Sequence, residues 1–283
     1  MTGRLKTYLE LVRFEHTLFA LPFAYVGMLL AARGWPGWEV FLWVTVAMVG
    51  ARTAAMALNR LIDWQIDAQN PRTQNRHLPR GLVRPGEVLL LALFGVVLLA
   101  LAAFNLNPLT ARLLPVAVFF LVFYSYTKRF TWTCHYWLGL VIGAAAAGGW
   151  IAVTGRFEPA TYLLWAAVGL WIAGFDILYA TQDYAFDRAH GVHSAPARFG
   201  IPRALLLARL THFMAWLCFL ATGLVAGLSL WYFLGVLYTG AVLAFEHRLV
   251  RPDDLSKVDL AFFQANVLIS LGMLVFVALE VLL

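Results

Sequence analysis

Charge and cysteine are what this sequence has least of. Two cysteines occur in 283 residues, Cys134 and Cys218, each in or beside an apolar stretch. That count excludes a disulfide scaffold and a cysteine metal cage. Charged residues make up 13% of the chain and hydrophobic ones 62%, whereas soluble domains average about 25% and roughly 45–50%. A soluble enzyme with one core cannot hide that much apolar surface, and a disordered chain does not contain it. The net charge of +6 and the pI near 9.5 are not gathered on a soluble face, so nucleic acid is not an expected partner. What remains is a polytopic membrane protein with a mean hydropathy of +0.76.

A membrane-spanning helix needs about 20 mostly apolar residues. Such runs fall at 17–33, 38–58, 87–105, 109–126, 134–153, 160–180, 205–226, 229–247 and 260–282, which predicts nine transmembrane helices in one domain over 1–283. The N-terminal stretch carries Arg4, Lys6, Glu10, Arg13 and Glu15, and no cleavage signature interrupts the apolar run after it, so the first helix is expected to be retained. Gly34, Pro36 and Gly37, then Asn105, Asn107 and Pro108, then Gly155 and Pro159, then Gly227 and Ser229 mark short connections. The connections at 59–86 and 181–204 are longer. Seventeen of the 21 Lys and Arg lie in the N-terminus and the longer connections; the exceptions are Arg33, Arg112, Arg156 and, inside the second span, Arg52. The positive-inside rule therefore places the N-terminus and long connections in the cytoplasm, in an inner (cytoplasmic) membrane, and the C-terminus outside.

Acids near membrane spans are costly, about 2.5–3.5 kcal/mol for a charge at the bilayer centre, and mark function. This chain groups them. At the end of span two stands Asn59-x-x-x-Asp63-x-x-x-Asp67, and at the end of span six come Asp176, Asp183 and Asp187. Positions four apart share a helix face, so each D-x-x-x-D aims two carboxylates at one place. Such pairs repel unless a cation lies between them. Hard oxygen donors with no histidine or cysteine inside the motifs favour Mg²⁺ over zinc, and Mg²⁺ characteristically binds through a few carboxylates plus substrate phosphates. A phosphate-bearing substrate follows. One such motif alone reads equally well as a solvated acidic helix end; two at matching ends of two spans do not. Arg72 and Arg76 follow the first motif across a Pro- and Gly-containing loop and suit bidentate phosphate contacts. Between the motifs, Tyr124-x-x-x-Lys128 puts a phenol and an ammonium on one face at the end of span four, an arrangement that interfacial residues also produce.

In this order and spacing, Asn59/Asp63/Asp67, Tyr124/Lys128 and Asp176/Asp183/Asp187 resemble the UbiA-type family of intramembrane aromatic prenyltransferases, over essentially the whole chain. The resemblance implies nine helices around a central chamber open to lipid, with cytoplasmic cap loops after helices 2 and 6. It also implies Mg²⁺ held by the motif residues, a polyprenyl diphosphate as donor, its diphosphate on Arg72, Arg76, Tyr124 and Lys128, and capture of the allylic cation by an aromatic ring. No obligate protein partner is implied. Asp176, two turns before Asp183, is the candidate general base, with Asp63 and Asp183 as further catalytic carboxylates. The segments 13–24, Asn70-Pro71-Arg72-Thr73 and 195–200 look like the prokaryotic quinone-pathway branch. Because 13–24 departs from the R-x-x-K-P-x-G pattern of 4-hydroxybenzoate enzymes, the expectation tilts toward dihydroxynaphthoate of a menaquinone pathway. Either acceptor carries a carboxylate, for which Arg52, seven residues before Asn59, is the candidate partner, with Arg13 and His16 next in line. Outside this family, a transporter or ion pathway using the acids is the rival; a CDP-alcohol phosphatidyltransferase would need a D-x-x-D-G-x-x-A-R run that the sequence lacks.

Overall fold

The computed structural model describes residues 7–8, 10–11 and 17–283. Arg13, His16 and the start of the 13–24 segment lie outside the described residues. Among those described the chain is helical, without a β-strand ladder: α1 Thr17–Ala32, α2 Trp38–Ile62, α3 Trp64–Gln69, α4 Pro85–Leu106, α5 Pro108–Thr127, α6 Cys134–Thr154, α7 Pro159–Ala180, α8 Tyr184–His190, α9 Ala195–Phe199, α10 Ile201–Ala226, α11 Leu230–Leu249 and α12 Val258–Leu282. Seven of these, α2, α4, α5, α6, α7 with its extension, α10 and α12, are long and apolar enough to cross a membrane. The other two expected spans are also helical, α1 with 16 residues and α11 with 20.

Local chemistry sets the ends. Asn107 accepts hydrogen bonds from the Leu109 and Thr110 amides at 3.0 Å, with Pro108 in the first turn of α5. Pro85, Pro159 and Pro202 likewise open α4, α7 and α10, where proline's missing N–H costs nothing. That is why α10 begins at Ile201, four residues before the expected start. Gly155 and Gly227 close α6 and α10 at φ +63 and +61, which a side chain would resist.

The helices associate through small residues, as expected where lipid removes the usual hydrophobic drive. A Cβ on Gly50 of α2 would stand 2.7 Å from the Gly95 carbonyl oxygen of α4, so these two backbones touch. Gly139 and Gly143 of α6 meet Gly169 of α7 in the same way, and Gly149 of α6 meets Ala24 of α1. Helices α2 and α7, which carry the acidic motifs, are thus each seated directly on a neighbour's backbone. Large apolar side chains such as Trp38, Leu90, Phe104 and Leu224 point outward.

Candidate active site

Both acidic motifs sit where a long helix breaks. Asp63 ends α2 and opens α3 at φ −94, ψ 2, and Asp183 stands between a 3₁₀ turn, Thr181–Asp183, and α8 at φ −95, ψ 4. The two first aspartates share one backbone conformation, in the bridge region where many active-site residues lie. The D-x-x-x-D spacing therefore spans a bend rather than a continuous helix face. After α3, Asn70 is extended because Pro71 follows it, and the chain folds back over the motif.

Three of the four motif carboxylates, Asp63, Asp67 and Asp183, face cations, and Asp63 and Asp183 an amide as well. Asp63, 1% exposed, receives Asn59 Nδ2 at 2.7 Å, Lys128 Nζ at 2.7 Å and an Arg129 guanidinium nitrogen at 3.1 Å. Asp67 is gripped by Arg76 through both oxygens at 2.7 and 2.6 Å, with Arg60 at 4.0 Å. Asp183 is held by the Arg72 fork and by Asn70 Nδ2 at 2.9 Å. Asp187 is buried, with Ser194 and Lys128 near enough to favour its charge against that burial. Burial works against the Arg72 charge, but the hydrogen bond and attraction to Asp183 outweigh it, so its pKa is raised. A basic pocket of about 260 Å³ opens beside Asp67, lined by Arg60, Arg72, Arg76 and His77 with Glu10 at its rim. The opposed charges are a physical necessity: buried carboxylates this close together persist only if each is compensated.

Tyr124 and Lys128 both turn toward α2 but part there, the phenol donating to the Ala55 carbonyl at 3.4 Å and the ammonium reaching Asp63. Arg52 is half-buried on α2, within electrostatic reach of Tyr124. Asp176 pairs with His135, Nδ1 to Oδ2 at 2.7 Å.

Several of these residues escape sequence reasoning. Arg129 adjoins Lys128 and reads as mere positive-inside charge. His135 opens an apolar span, and only tertiary packing brings it to Asp176. One signal was available: Trp171, Phe175, Tyr179, Asp183 and Asp187 recur every four residues along α7 and its extension. With Phe262 of α12 the three rings form a column of four, Trp171 to Phe175 at 5.3 Å, Phe175 to Phe262 at 5.2 Å and Phe262 to Tyr179 at 4.2 Å. Arg72 caps it, 4.9 Å above the Tyr179 ring.

The donor set Asn59, Asp63, Asp67, Asp183 and Asp187 is all hard oxygen and suits a divalent cation. Among the described residues no three His, Cys, Asp or Glu side chains form a ready-made cage.

A helical membrane chain that closes one end with paired acidic motifs and guanidinium groups defines a class, the intramembrane enzymes that handle phosphorylated lipid-soluble substrates. Residues 20–268 match the UbiA prenyltransferase family, and the chain belongs to it. It is 32% identical over 268 residues to the 4-hydroxybenzoate octaprenyltransferase of Thiobacillus denitrificans, covering 93% of this chain and 90% of the relative. The apo structure of a UbiA homologue from Aeropyrum pernix K1 superposes with a TM-score of 0.81 at 31% identity, covering 95% and 97% of the two chains. A UbiA homologue from Archaeoglobus fulgidus, solved bound to GPP and Mg²⁺, shares the fold with a TM-score of 0.77 at 18% identity, over 98% of this chain and 100% of that one. The protein is a prenyltransferase.

Proposed function

We propose that the protein transfers a polyprenyl group from an allylic polyprenyl diphosphate to the ring of 4-hydroxybenzoate. In this reading nine spans enclose a chamber open to lipid, the connections after α2 and α7 cap it on the cytoplasmic side of an inner membrane, and Asn59, Asp63, Asp67, Asp183 and Asp187 would hold Mg²⁺. When bound, Mg²⁺ neutralises charge that develops on the departing diphosphate. The observation that carries the reading is the interlock of Arg72, Arg76 and Lys128 with the two acidic motifs. These three cations are placed to exchange their carboxylates for diphosphate oxygens as the donor enters. The aromatic column from Tyr179 to Trp171 packs the apolar interior below Arg72 and excludes water beneath the diphosphate. Arg52, one level deeper on α2 than Asn59, is placed to take the acceptor's carboxylate, and Asp176 the ring proton.

The tilt toward dihydroxynaphthoate gives way here, because a relative matched over nine-tenths of the chain is a 4-hydroxybenzoate enzyme. A transporter reading loses its support for the same reason. The test is to incubate the purified protein with one polyprenyl diphosphate, Mg²⁺ and each acceptor in turn, and to weigh the products. Prenylated hydroxybenzoate is expected. A product from the naphthoate alone would move the acceptor, and no transfer to either acid would overturn the proposal.

A further inference from the structure

We infer that His135 is a positioning residue for the reaction: a neutral imidazole, fixed in one tautomer, that holds Asp176 as an acceptor-only carboxylate. The inference rests on the reading of Asp176 as the group that takes the ring proton, and it deepens that reading. His135 stands in the first turn of α6 and is 2% exposed. Its Nε2 lies 3.1 Å from the backbone nitrogen of Ala195, at the start of α9. A backbone N–H can only donate, so Nε2 must accept and carries no proton. The single ring proton is then on Nδ1, which donates to Asp176 Oδ2 at 2.7 Å. A doubly protonated ring would set two N–H groups against each other at Ala195.

Two consequences follow for the chemistry. The bond from Nδ1–H stabilises the ionised carboxylate and fixes its plane, which leaves Oδ1 of Asp176 as the atom able to receive a proton. In the transfer, the allylic C–O bond breaks with its electron pair leaving on diphosphate, the allylic carbon bonds to a ring carbon, and that carbon's C–H bond then breaks. The electron pair restores the aromatic ring, and the proton goes to Oδ1. The imidazole does not pass that proton on, since its other nitrogen is already occupied. His135 also ties the base to the turn into α9, where Ala195 follows Ser194, a neighbour of Asp187. Asp176, His135 and the turn into α9 are bonded in series, so the base is held in register with the segment that follows Asp187.

Two substitutions separate the ring's two bonds. Asparagine carries its amide nitrogen near the position of Nδ1, so His135→Asn keeps the donor to Asp176 and loses Ala195. Glutamine reaches Ala195 but offers no donor at that position. His135→Gln is expected to lower kcat roughly tenfold or more, a share of the 10²–10⁴ that general base catalysis supplies. The KM for prenyl diphosphate should stay near its wild-type value, and His135→Asn should recover most of the rate. Equal losses in both variants, or kcat and KM worsening together, would reduce His135 to a structural residue. Asp176→Asn distinguishes the two layers: full activity there removes the base reading itself, whereas an inactive Asp176→Asn beside an active His135→Gln removes only this inference. Should either variant fail to fold, ¹⁵N-histidine NMR of the unaltered protein decides, with Nε2 expected to resonate as the unprotonated nitrogen. A protonated Nε2 overturns the proposal.

Discussion

The motif aspartates are defined as much by their neighbours as by their own chemistry. Asp63 is buried against Lys128, Arg129 and Asn59, and Asp187 is buried beside Ser194. Asp63→Asn or Asp187→Asn keeps shape and most hydrogen bonds while deleting one charge. Turnover is expected to fall by at least about 100-fold, the scale of removing one preorganised electrostatic group. Gel filtration should show an unchanged monodisperse protein, because asparagine keeps the side-chain volume and its amide oxygen still accepts from the neighbouring donors. Near wild-type activity in both variants would refute the assignment. Arg52 carries a different expectation. A bidentate contact to a carboxylate in a low-dielectric chamber is lost when the fork becomes a point charge, so Arg52→Lys should raise the acceptor KM and leave the diphosphate KM nearly constant. An acceptor analogue without the carboxylate should lose less on the same substitution, and equal impairment toward both substrates would make the arginine structural.

Helices α2 and α4 are joined by backbone contact at Gly50 and Gly95, and α2 positions Arg52, Asn59 and Asp63. Gly50→Leu forces the pair apart, at a cost of about 1–3 kcal/mol or more for overpacking. The apparent Tm in detergent should drop by several degrees and activity with it. Gly86→Ala, where a Cβ would meet nothing within 4 Å, should be neutral or slightly stabilising, since glycine costs a helix roughly 1 kcal/mol relative to alanine. A thermal unfolding assay on both variants checks the contrast. At this scale the sequence was most informative about apolar runs and the residues that punctuate them: Pro108, Pro159, Gly155 and Gly227 stand at the ends expected of them. The breaks at Asp63 and Asp183 were not legible, because periodicity registers a shared face and not a bridge-region φ, ψ pair. Nor was the partner of Asp176, since His135 and Asp176 are 41 residues apart and meet only through the α6–α7 glycine contact. The motifs themselves were plain in the sequence, whereas the guanidinium groups that meet Asp67 and Asp183 depend on how the loop after Pro71 folds back.

Across the whole molecule, charge and apolar surface are segregated along one direction. Exposed leucine and aromatic side chains cover the long helices, while Arg60, Arg72, Arg76, Lys128, Arg129 and Arg188 gather where α2, α5 and α7 end. The opposite ends have Arg33, Arg112 and Arg156, and Arg156 is partly offset by Glu158 at 2.6 Å. Basic loops resist translocation, so this asymmetry predicts an orientation with the acidic motifs toward the cytoplasm. Single cysteines can test that in a background lacking Cys134 and Cys218. Gln74 and Ala189 are exposed beside the two motifs, and Arg156 has a side chain 73% exposed at the other end. A membrane-impermeant maleimide added to intact cells should label Arg156→Cys and spare Gln74→Cys and Ala189→Cys, which react once the membrane is opened. The predicted pattern holds only if the helices between these sites cross the bilayer an odd number of times. Labelling of Gln74→Cys from outside would invert the orientation, and labelling of all three in intact cells would mean that the apolar helices do not separate two compartments. Orientation bears on the chemistry as well. A diphosphate is too polar to cross the lipid, so its binding residues must face the compartment that receives it, and only the prenyl chain and the aromatic ring need enter among the helices.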